Sequence, residues 1–182
     1  MITNPLQRPN VFPDSIVDAR KYIPDEIFKE IPDWVPIPMV YFVVTRVVNG
    51  TREFMLVFRT KAPFNDTWFA TGGRNNVGES TWNALARQAK RKLDLDINQK
   101  GVLARFAGVQ DVLNPDSTGE GAGVCRMSHS KWLLHEIQIL DPQIEVKAEN
   151  KKIQWFRNID PSFPEPVKEA LSLMGFTSGK PE

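Results

Sequence analysis

The hydrophobic period of this chain changes once, at a pair of glycines, and that change limits what it can fold into. Before Gly72-Gly73 the apolar residues run as strands. MVYFVVTRVV from Met39 and REFMLVFRT from Arg52 are β-branched and aromatic, and Asn49-Gly50 separates them. Asn-Gly is the strongest short hairpin signal, because both residues tolerate the positive φ of a type I′ turn. WFATGG is then a short strand running into the glycines. After them Trp82, Leu85, Ala86, Ala89 and Leu93 recur at helical spacing from Ser80 to Leu93, with Ser80 or Thr81 as N-cap.

The remaining segments extend this pattern. VLARFAGVQDVL reads as a strand, and NPDSTGEGAG as a loop rich in turn residues. Arg126 to Leu140 alternates through Trp132, Leu134, Ile137 and Ile139 as a long strand, and IQWF is a further short one. PEPVKEALSLMGF is a C-terminal helix that opens near proline and stops at Gly175. Strands on both sides of a central helix, with a second helix at the end, predict an α/β (α+β) sandwich with mixed sheets. Seven of the fourteen prolines fall in the first 38 residues, where they exclude long helices and central strands. A short helix fits from Asp25 to Ile31. The expected organisation is an N-terminal arm over 1–38 lying on the domain, a domain over 39–176 and a tail over 177–182.

Composition narrows the class. A chain of 182 residues suits one domain with extensions. With 23 Lys+Arg against 22 Asp+Glu, the net charge of +1 offers no global attraction to nucleic acid or an anionic membrane, and neither partner is expected. The single Cys125 excludes an internal disulfide and a Cys-cluster zinc site, which fits a reducing compartment. The longest apolar run, Met39 to Val44, is only strand-sized, and MITNPLQRPNVFPDS lacks the basic start and apolar stretch of a secretory signal. A cytoplasmic protein is expected.

The segment GGRNNVGESTWNALARQAKRKLDL carries more specific information. Gly73, five residues, Glu79, seven residues, Arg87 and a helix ending Leu93-Asp94-Leu95 resembles the signature of the Nudix hydrolase superfamily. That signature is Gly, five residues, Glu, seven residues, then Arg-Glu-aliphatic-x-Glu-Glu-x-Gly-aliphatic. The preceding hairpin, the WFATGG strand and the late Trp155-Phe156 pair agree with it. The best resemblance within the superfamily is to the GDP-mannose mannosyl hydrolase branch, over roughly residues 22–165. It implies a Nudix-type α/β/α sandwich, a nucleoside diphosphate-linked substrate such as GDP-mannose, and Mg²⁺ held by the signature's glutamates.

The departures bear directly on chemistry. Where the signature has its last three glutamates, this chain has Gln88, Arg91 and Lys92, so the formal charge there goes from −3 to +2. Mg²⁺ takes hard oxygen ligands, usually carboxylates, so no metal is expected at the usual positions; Glu79 is the only retained acid. Glu79 and Arg87 are expected to tie the loop to the helix. The resemblance implies that Arg59, Arg74 and Arg87 contact a diphosphate, with Gly72, Gly73 and Lys92 at the same site. Guanidinium groups suit phosphate because they are planar, bidentate and always charged. Each arginine has a plainer reading as a surface or loop-bracing ion pair, and Gly-Gly often serves backbone geometry alone. The branch's Gln-His base falls at Glu149 and Asn150. Asn150 cannot accept a proton, which leaves Glu149 as candidate base or as a solvated acid in KAENKK.

Other candidates read as structural. His129 and His135 share a strand face with Lys131 and Leu133, but no further ligands stand at zinc spacing. Asp111, Asp116 and Glu120 flank or lie in the glycine-rich loop. Lys90, Arg91 and Lys92, with Arg87 and Arg105, form a local basic patch near Trp68 and Phe69, and such a run is usually a solvated helix face. Three functions remain. One is a hydrolase with Arg74, Arg87 and Glu149 as catalytic residues. The second is a non-catalytic Nudix-like domain that binds a phosphorylated, nucleotide-linked small molecule. The third is a protein-interaction module, a homodimer if the arm exchanges between subunits.

Overall fold

A computed structural model describes residues 36–61, 64–114, 128–148 and 152–179. The predicted helix Asp25–Ile31, most of the loop from Asn114, and Cys125, Glu149 and Asn150 lie outside these residues. The hairpin forms as expected. Strand β1 (Ile37–Val48) and strand β2 (Thr51–Arg59) pair in register from Val44↔Met55 to Val48↔Thr51. Asn49 and Gly50 take φ of 50° and 76°, the positive values a tight right-twisted hairpin requires.

The predicted WFATGG strand is two elements, β3 (Thr67–Phe69) and β4 (Thr71–Arg74), divided at Ala70. They are followed by helix α1 (Thr81–Leu93), strands β5 (Val102–Asn114), β6 (Ser128–Ile139) and β7 (Ile153–Phe156), and helix α2 (Glu165–Leu173). The strands form one seven-stranded mixed sheet in the order β3-β2-β1-β6-β5, with β4 also on β1 and β7 also on β2. β1 and β6 run parallel from Ile37↔Ser130 to Arg46↔Ile139, and the other pairs are antiparallel.

The division at Ala70 opens the sheet. β2 stays beside β1 only as far as Met55, and beyond that Val57–Arg59 pair with β3 while Met39–Phe42 pair with β4. One short segment therefore closes the seam between two diverging strands.

Strand alternation sorts the core into two layers. Val40, Phe42 and Val44 face α1 with Ala84, Leu85, Ala89 and Leu93. Tyr41 and Val43, one residue out of phase, face α2 with Val167, Ala170 and Leu171. Helices on both faces of a mixed sheet are the predicted architecture.

One buried acid ties the second layer together. The Glu136 carboxylate accepts hydrogen bonds from Thr45 Oγ1 at 2.6 Å, Arg52 Nη2 at 2.6 Å and Arg105 Nε at 2.7 Å. Burial pushes this carboxyl up, but the three donors outweigh that and hold it below the usual carboxylate range. Arg52 also donates to Met174 O at 2.8 Å and lies 4.3 Å from the Phe176 ring centre, so it links the sheet to the end of α2. Thr177 and Ser178 continue this attachment, with Ile159 N donating to Thr177 O at 3.0 Å. Among the described residues no helix is long and apolar enough to cross a membrane.

Candidate functional site

Helix α1 starts where Ser80 Oγ accepts from Asn83 N–H at 3.2 Å, the predicted cap. It ends at Asp94, where the signature places glycine, and Asp94 takes the left-handed φ of 49° that glycine usually supplies. Lys90, Arg91 and Lys92 occupy the last turn, where cations complement the helix dipole. That role is enough to explain Lys90, which pairs with Asp94 in solvent. It leaves Arg91 and Lys92 to be explained by their contacts.

The loop from Arg74 to Ser80 is fastened to α1 by Glu79 and Arg87. Arg87 Nε donates to Glu79 Oε1 at 2.7 Å and Arg87 Nη2 to Glu79 Oε2 at 2.6 Å, a bidentate pair. Arg87 Nη2 also reaches Arg74 O at 3.0 Å, and Asn76 N–H donates to Glu79 Oε2 at 2.9 Å. The Glu79 side chain is 3% exposed, and its bonds to Arg87 raise the guanidinium's already high pKa. Gln88 is buried beside this pair. Its Nε2 lies 3.4 Å from Arg74 O, and its Oε1 accepts from Arg91 Nη2 at 2.9 Å.

The two glycines serve this packing. A Cβ on Gly72 would lie 2.2 Å from Val40 O, and one on Gly73 would lie 2.4 Å from Gln88 Nε2. Both are positions where backbone meets protein at close range.

The seam opens into a cleft of about 70 Å³, lined among others by Arg59, Lys92, Tyr41, Thr71 and Gly72. Arg59 is held at its mouth, with Nε donating to Lys61 O at 2.8 Å and the guanidinium carbon 5.4 Å from the Phe69 ring centre. Tyr41 stacks on Trp132 with ring centres 3.9 Å apart, which fixes its orientation. Burial pushes the Tyr41 hydroxyl up, and the Arg59 charge acts in the opposite sense.

Three of the predicted residues, Arg59, Gly72 and Lys92, thus meet at one cleft. Arg74 and Arg87 meet at the loop brace instead, and Glu149 lies outside the described residues. Sequence reasoning missed Tyr41, Thr71 and the buried Asn75 Oδ1, which has no hydrogen-bond partner among the described residues. Asn75 follows Arg74 directly, and Tyr41 breaks an otherwise aliphatic stretch; those were the available signals.

No family model matches the chain, and no curated protein matches it. Among solved structures it is similar to the Nudix hydrolase RenU from M. smegmatis, at 13% identity and TM-score 0.54, over 78% of this chain and 88% of that one. It is also similar to the NUDIX domain of Shewanella oneidensis NrtR, complexed with ADP ribose, at 13% identity and TM-score 0.50, over 80% and 83%. A MutT/nudix family protein from Enterococcus faecalis aligns at 19% identity and TM-score 0.52 over 70% of this chain, which spans 46% of that protein's length. The chain has the Nudix fold.

The Nudix signature implies Mg²⁺, and the donor chemistry here does not suit it. At the signature's last three glutamates stand Gln88, Arg91 and Lys92. The one oxygen among them, Gln88 Oε1, is taken by the Arg91 guanidinium. Both oxygens of Glu79 are taken by Arg87 and by Asn76 N–H. Among the described residues no group of three or more His, Cys, Asp and Glu side chains converges. Mg²⁺ needs several hard oxygens in near-octahedral array, and this helix presents cations instead.

The remaining candidates lie elsewhere in the Nudix fold. Asp111 accepts from Lys131 at 2.8 Å and contacts His129 Nε2 at 2.9 Å on the exposed end of β5 and β6. Those bonds, Lys131's first, hold the Asp111 carboxyl below its ordinary value. His135 is buried, with Nδ1 3.0 Å from Leu133 O, and burial keeps its imidazole below the ordinary value.

Proposed function

We propose that this Nudix-fold protein recognises a nucleoside diphosphate-linked small molecule, a nucleotide sugar such as GDP-mannose being the form its motif resemblance implies. The observation that carries the reading is the meeting of Arg59 and Lys92, with Gly72, at the seam between β1 and β2. Arginine and lysine together suit phosphate oxygens, one as a planar fork and one as a point charge. The ADP ribose held by the NrtR domain supports the ligand class. The cleft is well below the roughly 300–1,000 Å³ of a site that encloses a drug-sized ligand. It therefore suits a phosphate, with the nucleoside lying outside it.

Binding without efficient turnover is the function the geometry supports best. The signature's metal ligands are replaced by Gln88, Arg91 and Lys92, Asn150 stands where the branch has its His base, and each such element normally contributes orders of magnitude in rate. The test is a panel of ADP-ribose, GDP-mannose and UDP-glucose, followed by thermal shift and by release of nucleotide and sugar with and without Mg²⁺ or Mn²⁺. The expected outcome is a raised Tm for at least one diphosphate compound without product release. Turnover that disappears in Glu149→Gln would instead establish the hydrolase. A Tm unmoved by every compound would refute recognition of this ligand class.

A further inference from the structure

We propose that the cavity between the end of the β1–β2 hairpin and the turn after β6 is a second binding site, which takes a small amphipathic carboxylate. It lies at the opposite end of β1 from the Arg59 cleft. At a strand's rise of roughly 3.4 Å per residue, Tyr41 and Val47 are about 20 Å apart.

The backbone builds this cavity before any ligand arrives. β1 pairs with β6 as far as Arg46↔Ile139 but with β2 as far as Val48↔Thr51, so Val47 and Val48 overhang the end of β6. There the chain turns away. Gly101 O accepts from Leu140 N at 2.8 Å and from Asp141 N at 3.3 Å, and Ile144 N donates to Asp141 O at 3.1 Å. Lys147 N donates to Leu93 O at 3.1 Å, which pins the returning segment to the end of α1. The enclosed space is about 430 Å³, within the roughly 300–1,000 Å³ of small-molecule pockets. At about 30 Å³ for each water, it has room for roughly a dozen non-hydrogen atoms.

The lining selects the occupant. Val47, Leu140, Ile144 and Val146 supply aliphatic walls without a hydrogen-bonding side chain, so what lies on them is hydrocarbon. Val47 and Leu140 are 54% and 59% exposed, apolar surface that folding leaves wet and a ligand would cover. The other end is charged. Arg46 gives Nε and Nη2 to Glu53 Oε2 at 3.0 and 2.9 Å, and its guanidinium carbon lies 3.8 Å from the Trp155 ring centre. Arg157 Nε donates to the other oxygen, Glu53 Oε1, at 3.1 Å. Two guanidiniums thus share one carboxylate, and this corner keeps positive charge in excess even with its hydrogen bonds made. Glu145, also in the lining, is answered by Lys147 at 3.1 Å. A negative head group fits that balance and a cationic one does not. Because Glu53 and Trp155 already hold Arg46, its charge needs no ordering when the ligand enters.

The test is calorimetric titration of the 182-residue chain with decanoate, decylammonium and acetate, the first two below their micellar concentrations. Decanoate should bind once per chain, decylammonium about tenfold more weakly, and acetate, which leaves the aliphatic walls uncovered, not at all. Leu140→Glu, at an exposed position, should weaken decanoate about tenfold with an unchanged circular dichroism spectrum. Arg46→Gln, which leaves Arg157 on Glu53, should weaken decanoate and spare decylammonium. Decanoate unbound at about millimolar concentration, bound in several copies, bound no better than decylammonium, or bound equally by folded Leu140→Glu overturns the proposal.

Discussion

Two arginine-rich regions of this molecule use the same groups to opposite ends. At Glu136 one buried carboxylate gathers Thr45, Arg52 and Arg105, and the hydrogen-bonding capacity of the acid is filled from within the fold. At α1 a single retained acid, Glu79, faces Arg87, while Arg59, Arg74, Arg91 and Lys92 stand nearby in the loop, helix and cleft wall. The first region is closed and structural. The second borders the seam where, among the described residues, β2 parts from β1. Arginine content alone does not separate a brace from a binding site; the local ratio of acid to base, and access to a cleft, do.

The strongest break of this comparison is Glu136→Ala. Removing one partner of a buried ion pair costs about 3–5 kcal/mol, and the lower end applies because Arg52 and Arg105 can turn to solvent. Urea unfolding should show that loss, with pyrophosphate affinity unchanged in the folded fraction. The acid also makes a pH prediction. Its folded value lies below its unfolded one of roughly 4.3, so its contribution is complete above that pH and is lost as pH falls through the folded value. Stability measured from pH 6 to 3 should fall in the wild type, and this component should be missing in Glu136→Gln.

Gly72→Ala comes next. Its Cβ would press on the Val40 carbonyl, which is backbone and cannot swing aside, so about 2–3 kcal/mol should be lost in chemical denaturation. Gly73→Ala should cost less, because the atom it meets ends the Gln88 side chain. Arg87→Ala takes the bidentate guanidinium from the buried Glu79 carboxylate, and should cost about 1–2 kcal/mol. Arg87→Lys should not restore this, since an ammonium lacks the bidentate fork. The smallest stability effect belongs to Lys92→Ala, expected under about 0.5 kcal/mol, although it should remove most anion affinity. That inverse relation between stability and binding is the sharpest form of the contrast.

Much of the scaffold was legible because its causes are local. Asn49-Gly50 dictates a positive-φ turn, Ser80 offers an oxygen to Asn83 N–H, and apolar alternation through Trp132 and Leu134 marks a strand. The Glu79–Arg87 brace was also visible, through the resemblance of Gly73, Glu79 and Arg87 to the Nudix signature. The division of WFATGG at Ala70 was not, because it depends on where β1 and β2 diverge in space. Glu136 carried no signal either. Its partners lie 91, 84 and 31 residues away, and only the folded sheet brings them together. Of the site itself, the resemblance put Arg59, Arg74, Arg87 and Lys92 together, whereas the cleft is lined by Arg59 and Lys92 and not by Arg74 or Arg87, a difference that depends on how β2 and α1 meet in space.

The seam at Ala70 gives the cleft an unusual mechanical standing. Its walls belong to adjoining strands of one continuous sheet, so an anion lodged there acts as a keystone whose seating tightens both flanks. Amide exchange of β2 beyond Met55, and of β3 and β4, should slow together on binding, whereas the Glu136 side of the sheet keeps its pace.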